Sequence, residues 1–138
     1  MAATFNKFQS FVEALAEKVH NLGSDQLVVA LCDASHAPVN TNTQLSQLTQ
    51  ISYTNLSSRN ITTSASAQSS GTYKLTLTDL VLTASGAVAP FRYVVVYNDT
   101  ATNDELIGWY DYGSEVTLQN GETFTIDFDG TNGVLQLT

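Results

Sequence analysis

The residue types able to do chemistry are few and scattered. The chain holds one cysteine and two histidines, Cys32, His20 and His36. Neither histidine stands at a metal-ligand spacing from the other or from Cys32. There is no G-x-S-x-G elbow, no glycine loop to cradle a phosphate and no H-E-x-x-H pair. Cys32 falls inside an apolar run, where it reads as a small core residue rather than a nucleophile. His20 lies near the end of a helical pattern, a position the helix dipole favours for it.

The carboxylates are the denser group. Of the 13 acidic residues, Asp99, Asp104, Glu105, Asp111, Glu115, Glu122, Asp127 and Asp129 fall in the last third of the chain. Two of them brought together would serve glycoside hydrolysis. Oxygen-rich stretches such as "NDTATNDE" and "DFDGTNG" would suit Ca²⁺, although neither follows the EF-hand pattern. The plainer reading is a set of solvated loops on an acidic surface, with no cofactor and no metal. In "GWYDYG", Tyr110 and Tyr112 share one face of a strand and Trp109 looks the other way. Aromatics beside Asp111 would make a sugar platform. They equally suit a core tryptophan with two tyrosines at a subunit contact, where aromatic residues are enriched. No convergent catalytic set is spelled, so the expectation is a protein that is not an enzyme.

The elements that must position these groups can be read from periodicity. In "TFNKFQSFVEALAEKVHNLG", Phe5, Phe8, Val12, Leu15, Val19 and Leu22 recur at steps of three and four. This predicts one amphipathic helix over the first 23 residues, with Thr4 as its cap and Gly23 as its stop. The stripe serves either to pack the helix on its own domain or to dock an arm on a neighbour. After Gly23 the period changes. "QLVVALCDA" predicts a buried strand. Residues 35–50 read as a long polar loop with a helical turn at Leu45 and Leu48, and a loop of that length is commonly functional. Residues 51–70 are rich in Ser, Thr and Asn, and within them "NITTSASAQSS" reads either as disordered by composition or, from its alternation of small residues, as an edge strand.

"TYKLTLTDLVLTA" alternates, with Tyr73, Leu75, Leu77 and Val81 on one face. "FRYVVVYN" is apolar on both sides, Phe91, Tyr93, Val95 and Tyr97 against Val94 and Val96, with Arg92 its one charge. Its second face must be covered by an opposite sheet with the helix, or by another subunit. Asn120-Gly121 predicts a type I′ hairpin between "EVTL" and "ETFTIDF", and Asn132-Gly133 a further turn. In "ETFTIDF", Phe124, Ile126 and Phe128 point one way. One helix followed by seven or eight strands, without helices between them, predicts a mainly β fold. The expected form is an antiparallel sandwich, jelly-roll-like, in a single domain over 1–138, with 1–23 as the helix or arm and 24–138 as the sandwich.

Bulk composition narrows the partners. The net charge is −8 and 13% of residues are charged, against a usual share of about 25%. Five basic residues do not make the clustered patch that a phosphate backbone needs, so no nucleic acid is expected. A polybasic membrane anchor is excluded on the same ground, and no apolar run reaches the length of a membrane helix. The N-terminus lacks the pattern of an export signal, and a single cysteine is compatible with a reducing compartment. Low charge with solubility carried by Ser, Thr, Asn and Gln suits a surface packed against other proteins.

"EALAEKVHNLGSDQLVVAL", "FRYVVVYNDTATNDELIGWYDYGS" and "VTLQNGETFTIDFDGTNGVLQL" resemble a family of small structural proteins of tailed bacteriophages. Within that class, size and β pattern look like capsid cement or decoration proteins. The resemblance implies a non-enzymatic protein made in the host cytoplasm. It would bind the major capsid protein on the virion exterior and itself as a dimer or trimer, and stabilise the shell. Tail-tube, connector or tail-adaptor proteins, and a carbohydrate-binding sandwich used in host attachment, are the alternatives. The expected protein contacts are Phe5, Phe8, Val12, Leu15, Arg92, Tyr110 and Tyr112.

Overall fold

Strands dominate the chain in a computed structural model that describes residues 3–138, and the strand pairings are antiparallel. In chain order the elements are β1 (Asn6–Lys7), α1 (Ser10–Ala16), β2 (Leu27–Cys32), β3 (Thr63–Ser69), β4 (Thr72–Leu77), β5 (Leu80–Thr83), β6 (Val88–Asn98), β7 (Leu106–Leu118), β8 (Thr123–Ile126) and β9 (Leu135–Leu137). A 3₁₀ turn over Leu45–Gln47 occupies the long loop, where the leucine pair predicts it. The strands form three sheets, ordered β1-β7-β6-β2, β3-β4-β9 and β5-β8. Side chains from all three meet in one core. Val29, Leu31, Val94, Val96 and Ile107 come from the first sheet, Leu75 and Leu77 from the second, and Leu82, Phe124 and Ile126 from the third. That is the layering of a β-sandwich.

The predicted N-terminal helix is much shorter than its hydrophobic period. Helix α1 covers Ser10–Ala16 with Gln9 as its N-cap, so neither Thr4 nor Gly23 bounds it. At the start, Asn6 and Lys7 instead pair with Trp109 and Gly108 on β7. Sheet pairing there takes the place of the expected first helical turn. At the end, Lys18 takes φ 71°. Lys18 N–H then bonds the Leu15 carbonyl at 3.3 Å and Val19 N–H bonds the Ala14 carbonyl at 2.9 Å. This pair of bonds is a Schellman cap, which stops the helix at Glu17 with a left-handed residue after it.

Three further expectations shift for identifiable reasons. The alternating stretch 72–84 is two strands in two sheets, broken at Thr78–Asp79. Phe128 N–H bonds the Asp79 carboxylate at 2.9 Å, and the break reverses the alternation. Leu82 is therefore buried and Val81 exposed, against the face assigned to Val81. "ELIGWYDYG" and "EVTL" form the single strand β7, which bends through Gly113 at φ 97°. The turn at Asn120-Gly121 exists, with Gly121 at φ 84° and Glu122 N–H bonding the Gln119 carbonyl at 3.0 Å. It is not a hairpin, because β8 pairs with β5 and not with β7. Asn120 keeps a negative φ, so the turn is not of the I′ type and serves as a corner between sheets. Phe124, Ile126 and Phe128 do point inward together.

The second face of β6 is covered from within the chain. Val95 and Tyr97 join Phe8, Val28, Ala30 and Leu106 in a smaller apolar cluster, with Leu45, Leu48 and Trp109 packed on it. The loop before the 3₁₀ turn is held there by Leu106 N–H to the Thr43 carbonyl, 3.1 Å, and Leu45 N–H to the Asp104 carbonyl, 3.1 Å. Burial of one such side chain stabilises by about 1.5–3 kcal/mol, which is why this loop is ordered rather than solvated. Phe91 does not share that face. Register shifts between Phe91 and Tyr93 turn it into the main core with Val94.

Candidate functional site

The expected contact residues separate into core, surface and groove. Phe8 is fully buried and carries the second cluster. Phe5 is half-buried, its ring 5.0 Å from that of Tyr110, and it lies over Gly108, where a side chain would collide with it. Tyr110 is buried in the main core, and burial pushes its hydroxyl pKa well above the ordinary value. Phe8 and Tyr110 are thus core residues, while Phe5 stays part-exposed beside Ala3 and Val134.

Tyr112 is 45% exposed and packs edge-on against Phe124 at 5.2 Å. Trp109 joins the opposite cluster and donates its Nε1–H to Asn40 Oδ1 at 3.1 Å. Tyr110 and Tyr112 share a face, as their spacing predicts, but Trp109 and Tyr112 lie on opposite faces and make no aromatic platform. Arg92 forms a two-bond pair with Asp111, Nε to Oδ1 at 2.8 Å and Nη2 to Oδ2 at 3.1 Å. The guanidinium holds the Asp111 carboxyl below its usual range.

The acidic loops spend their oxygens on backbone amides. The Asp129 carboxylate accepts from Thr131 N–H at 2.9 Å and Asn132 N–H at 2.8 Å, bonds that lower its pKa. Glu105 accepts from Asn103 N–H at 2.8 Å. Among the described residues no three His, Cys, Asp or Glu groups converge as a metal site would require. Cys32 is buried in β2, and burial pushes its thiol up to about 11.

An apolar groove opens between α1 and the edge of the β3-β4-β9 sheet. Phe11 and Leu22 form its floor, and both are buried in the main core. Val12 and Leu15 of α1, Tyr73 of β4 and Leu137 of β9 form its walls. Its volume is about 350 Å³. A shallower hollow of about 410 Å³ continues it past Leu22 and Tyr73. The two rims, Val12 at 53% and Leu137 at 54% exposure, are among the few large apolar side chains left in water.

The charges around this groove run against the rest of the molecule. Among the described residues Lys7 and Lys18 line it and no Asp or Glu does, in a chain with 13 acids and five bases. The helical period points to Val12 and Leu15. Leu137 and Tyr73 carry no such signal, because only the tertiary fold brings β9 and β4 beside α1.

A buried polar knot sits at the far end of the hollow. His20 does not occupy a last helical turn. It follows the cap of α1, is buried, and stacks 5.3 Å from the Phe11 ring. Its Nδ1 accepts from Asn98 Nδ2 at 2.9 Å, and the same amide donates to Asp25 Oδ2 at 2.7 Å. Burial lowers the His20 pKa, against the opposing fields of Glu105 and Asp25. Arg59 is also placed unexpectedly, its guanidinium 3.6 Å over the Tyr53 ring and bonded to the Val29 carbonyl.

Comparison with protein-family models, with curated proteins and with solved structures returned no match for this chain. Among the described residues no helix is long and apolar enough to cross a membrane.

Proposed function

We propose that this chain is a non-enzymatic structural protein of a tailed-phage virion, a decoration protein that binds the outside of the capsid and reinforces it. The observation that supports this reading is the apolar groove between α1 and β9, open and rimmed by Val12 and Leu137. Its occupant is an apolar segment of the major capsid protein with carboxylates beside it. The apolar residues fill the groove over Phe11 and Leu22, and the carboxylates meet Lys7 and Lys18. The sequence resemblance to small phage structural proteins supplies the partner class, and the groove supplies a way to hold it.

The mechanism is linkage. A ligand that binds only the assembled shell stabilises that shell by its binding free energy, and many copies on one lattice add avidity. The test is to heat capsids assembled with and without the protein, and with Val12→Asp and Leu137→Asp variants. The wild-type chain raises the rupture temperature and both variants lose most of that gain. Equal rupture temperatures with and without the wild-type protein remove the reinforcing role. A copy number that matches the tail axis rather than the shell lattice transfers the chain to a tail or connector position.

A further inference from the structure

Among the described residues, the seven-residue edge strand β3 has neither a covering segment nor a charged side chain. In the β3-β4-β9 sheet, β3 stands at the end and pairs only with β4. The other edges are covered or short, except that of β7 beyond its two-residue pairing with β1, which carries the carboxylates Asp111 and Glu115. The outer side of β2 is bonded to residues 51–61, through Val29 N–H to the Arg59 carbonyl at 3.0 Å and Ile61 N–H to the Leu27 carbonyl at 2.9 Å. Ser57 N–H bonds Thr83 at the outer side of β5. Strands β1, β8 and β9 have two, four and three residues, whereas β3 has seven. Edges of this length are usually blocked by lysine, proline or a mid-strand bulge. Strand β3, "TSASAQS", holds neither residue, and its one irregularity lies at its start, between Thr63 and Ala65.

Which backbone groups face outward follows from the hairpin. Ser70 and Gly71 have φ 52° and 84°, and Ser69 pairs with Thr72. In such a two-residue turn the closing pair exchanges both backbone bonds, and the bonding alternates from there. Ser69, Ala67 and Ala65 therefore bond to β4, while the N–H and C=O groups of Gln68 and Ser66 point to the open edge.

Charge decides what can approach. Each chain carries −8, so two copies repel almost everywhere. Residues 60–73 contain no charged side chain and lie between Arg59 and Lys74. Two copies brought together at this stretch face no opposing carboxylates within it. We infer that β3 pairs antiparallel with β3 of a second copy, across a two-fold axis at Ala67. Ser66 then exchanges both backbone bonds with Gln68 of the other copy, and the reverse. The exposed Ala67 faces its own counterpart as the close, non-hydrogen-bonded pair, where a methyl group fits. The result is a continuous sheet, β9-β4-β3 extended by the same three strands of the second copy. This pairing needs no capsid, and it engages the backbone of Ser66, whose residue also borders the hollow beside the groove.

The test uses the purified protein alone. Sedimentation over a range of concentrations shows a reversible dimer for the wild type. Gln68→Pro removes one outward donor from each copy and spares the β4 bonds, and it weakens association by about ten-fold or more. Ala67→Cys, oxidised, gives a covalent dimer in high yield, while a cysteine at the exposed position Thr131, off the two-fold axis beyond Lys74, does not. The buried Cys32 stays out of this reaction. The cross-linking arm decides the matter if the proline variant fails to fold. A wild-type chain that stays monomeric at every concentration, or an Ala67→Cys yield no higher than that of Thr131→Cys, overturns the inference.

Discussion

The side-chain amide of Asn98 donates to Nδ1 of His20 across 2.9 Å, joining the end of β6 to the segment after α1. Both partners are buried. The same Asn98 donates to Asp25 and accepts, on Oδ1, the backbone N–H groups of Thr100 at 3.0 Å and Ala101 at 3.2 Å. One side chain thus ties the N-terminal segment, the start of β2 and the loop after β6. Asn98→Ala strips the buried His20 Nδ1 of its partner, while Asp25 Oδ2 keeps the Asn21 N–H and Thr100 lies exposed. An orphaned buried group costs about 1–3 kcal/mol, and we expect a loss of that size in urea denaturation. An unfolding midpoint unchanged from the wild type would show that the knot adds nothing.

His20 makes stability depend on pH in a stated direction. Its folded pKa is lowered from 6.5, chiefly by burial. In that state the unfolded chain binds the proton more readily than the folded one. Stability is therefore full above 6.5 and falls as pH drops from 6.5 toward the folded value, below which this contribution is constant. The facing groups are Asp25 and Glu105, whose fields oppose the shift. Thermal unfolding followed from neutral to mildly acidic buffer should show the decline, and His20→Gln should flatten it. A decline of equal steepness in His20→Gln would assign it elsewhere.

Phe8 and Val12 belong to one helical stripe in the sequence but to opposite environments in the fold. Phe8→Ala opens a cavity under Val95 and Tyr97 and costs about 3–5 kcal/mol. Val12→Ala, at the groove rim, stays within about 0.5 kcal/mol. Denaturant titrations of the two variants give the comparison, and similar losses would mean that Val12 is covered in the free protein.

Lys18 holds a left-handed conformation at the helix cap, where a glycine is at less steric cost. Lys18→Gly should raise stability by about 0.5–1 kcal/mol, read as a higher melting temperature. The same change removes one cation of the groove, so binding to an acidic partner falls while stability rises. A variant that loses both would place Lys18 in the fold rather than at the groove.

Cys32 should be silent in the native state. With its thiol buried and raised to about 11, a disulfide reagent at mildly alkaline pH reacts only as the chain unfolds. Fast stoichiometric labelling of the native protein would contradict this burial.

Local order along the chain was legible wherever a run buries both faces or alternates cleanly. Residues 27–32, 91–98 and 123–128 read as strands because their apolar periods match the strand repeat and nothing competes with it. The antiparallel, mainly β architecture followed from the turn signals between them. The inward set Phe124, Ile126 and Phe128 followed from alternation alone, and the burial of Cys32 from the apolar run that holds it.

Long-range partners decided the rest. The stripe from Phe5 to Leu22 has a helical period, yet Asn6 and Lys7 pair with β7, because a sheet edge satisfies their backbone where an isolated turn cannot. Asn120-Gly121 has hairpin chemistry, but β8 finds β5. The groove joins Val12 and Leu15 to Leu137, more than a hundred residues along the chain, and the β3 edge is open only because no other strand reaches it. Periodicity reports which face of an element avoids water. Which other element covers that face depends on packing across the whole sandwich, and so it exists only once the chain has closed on itself.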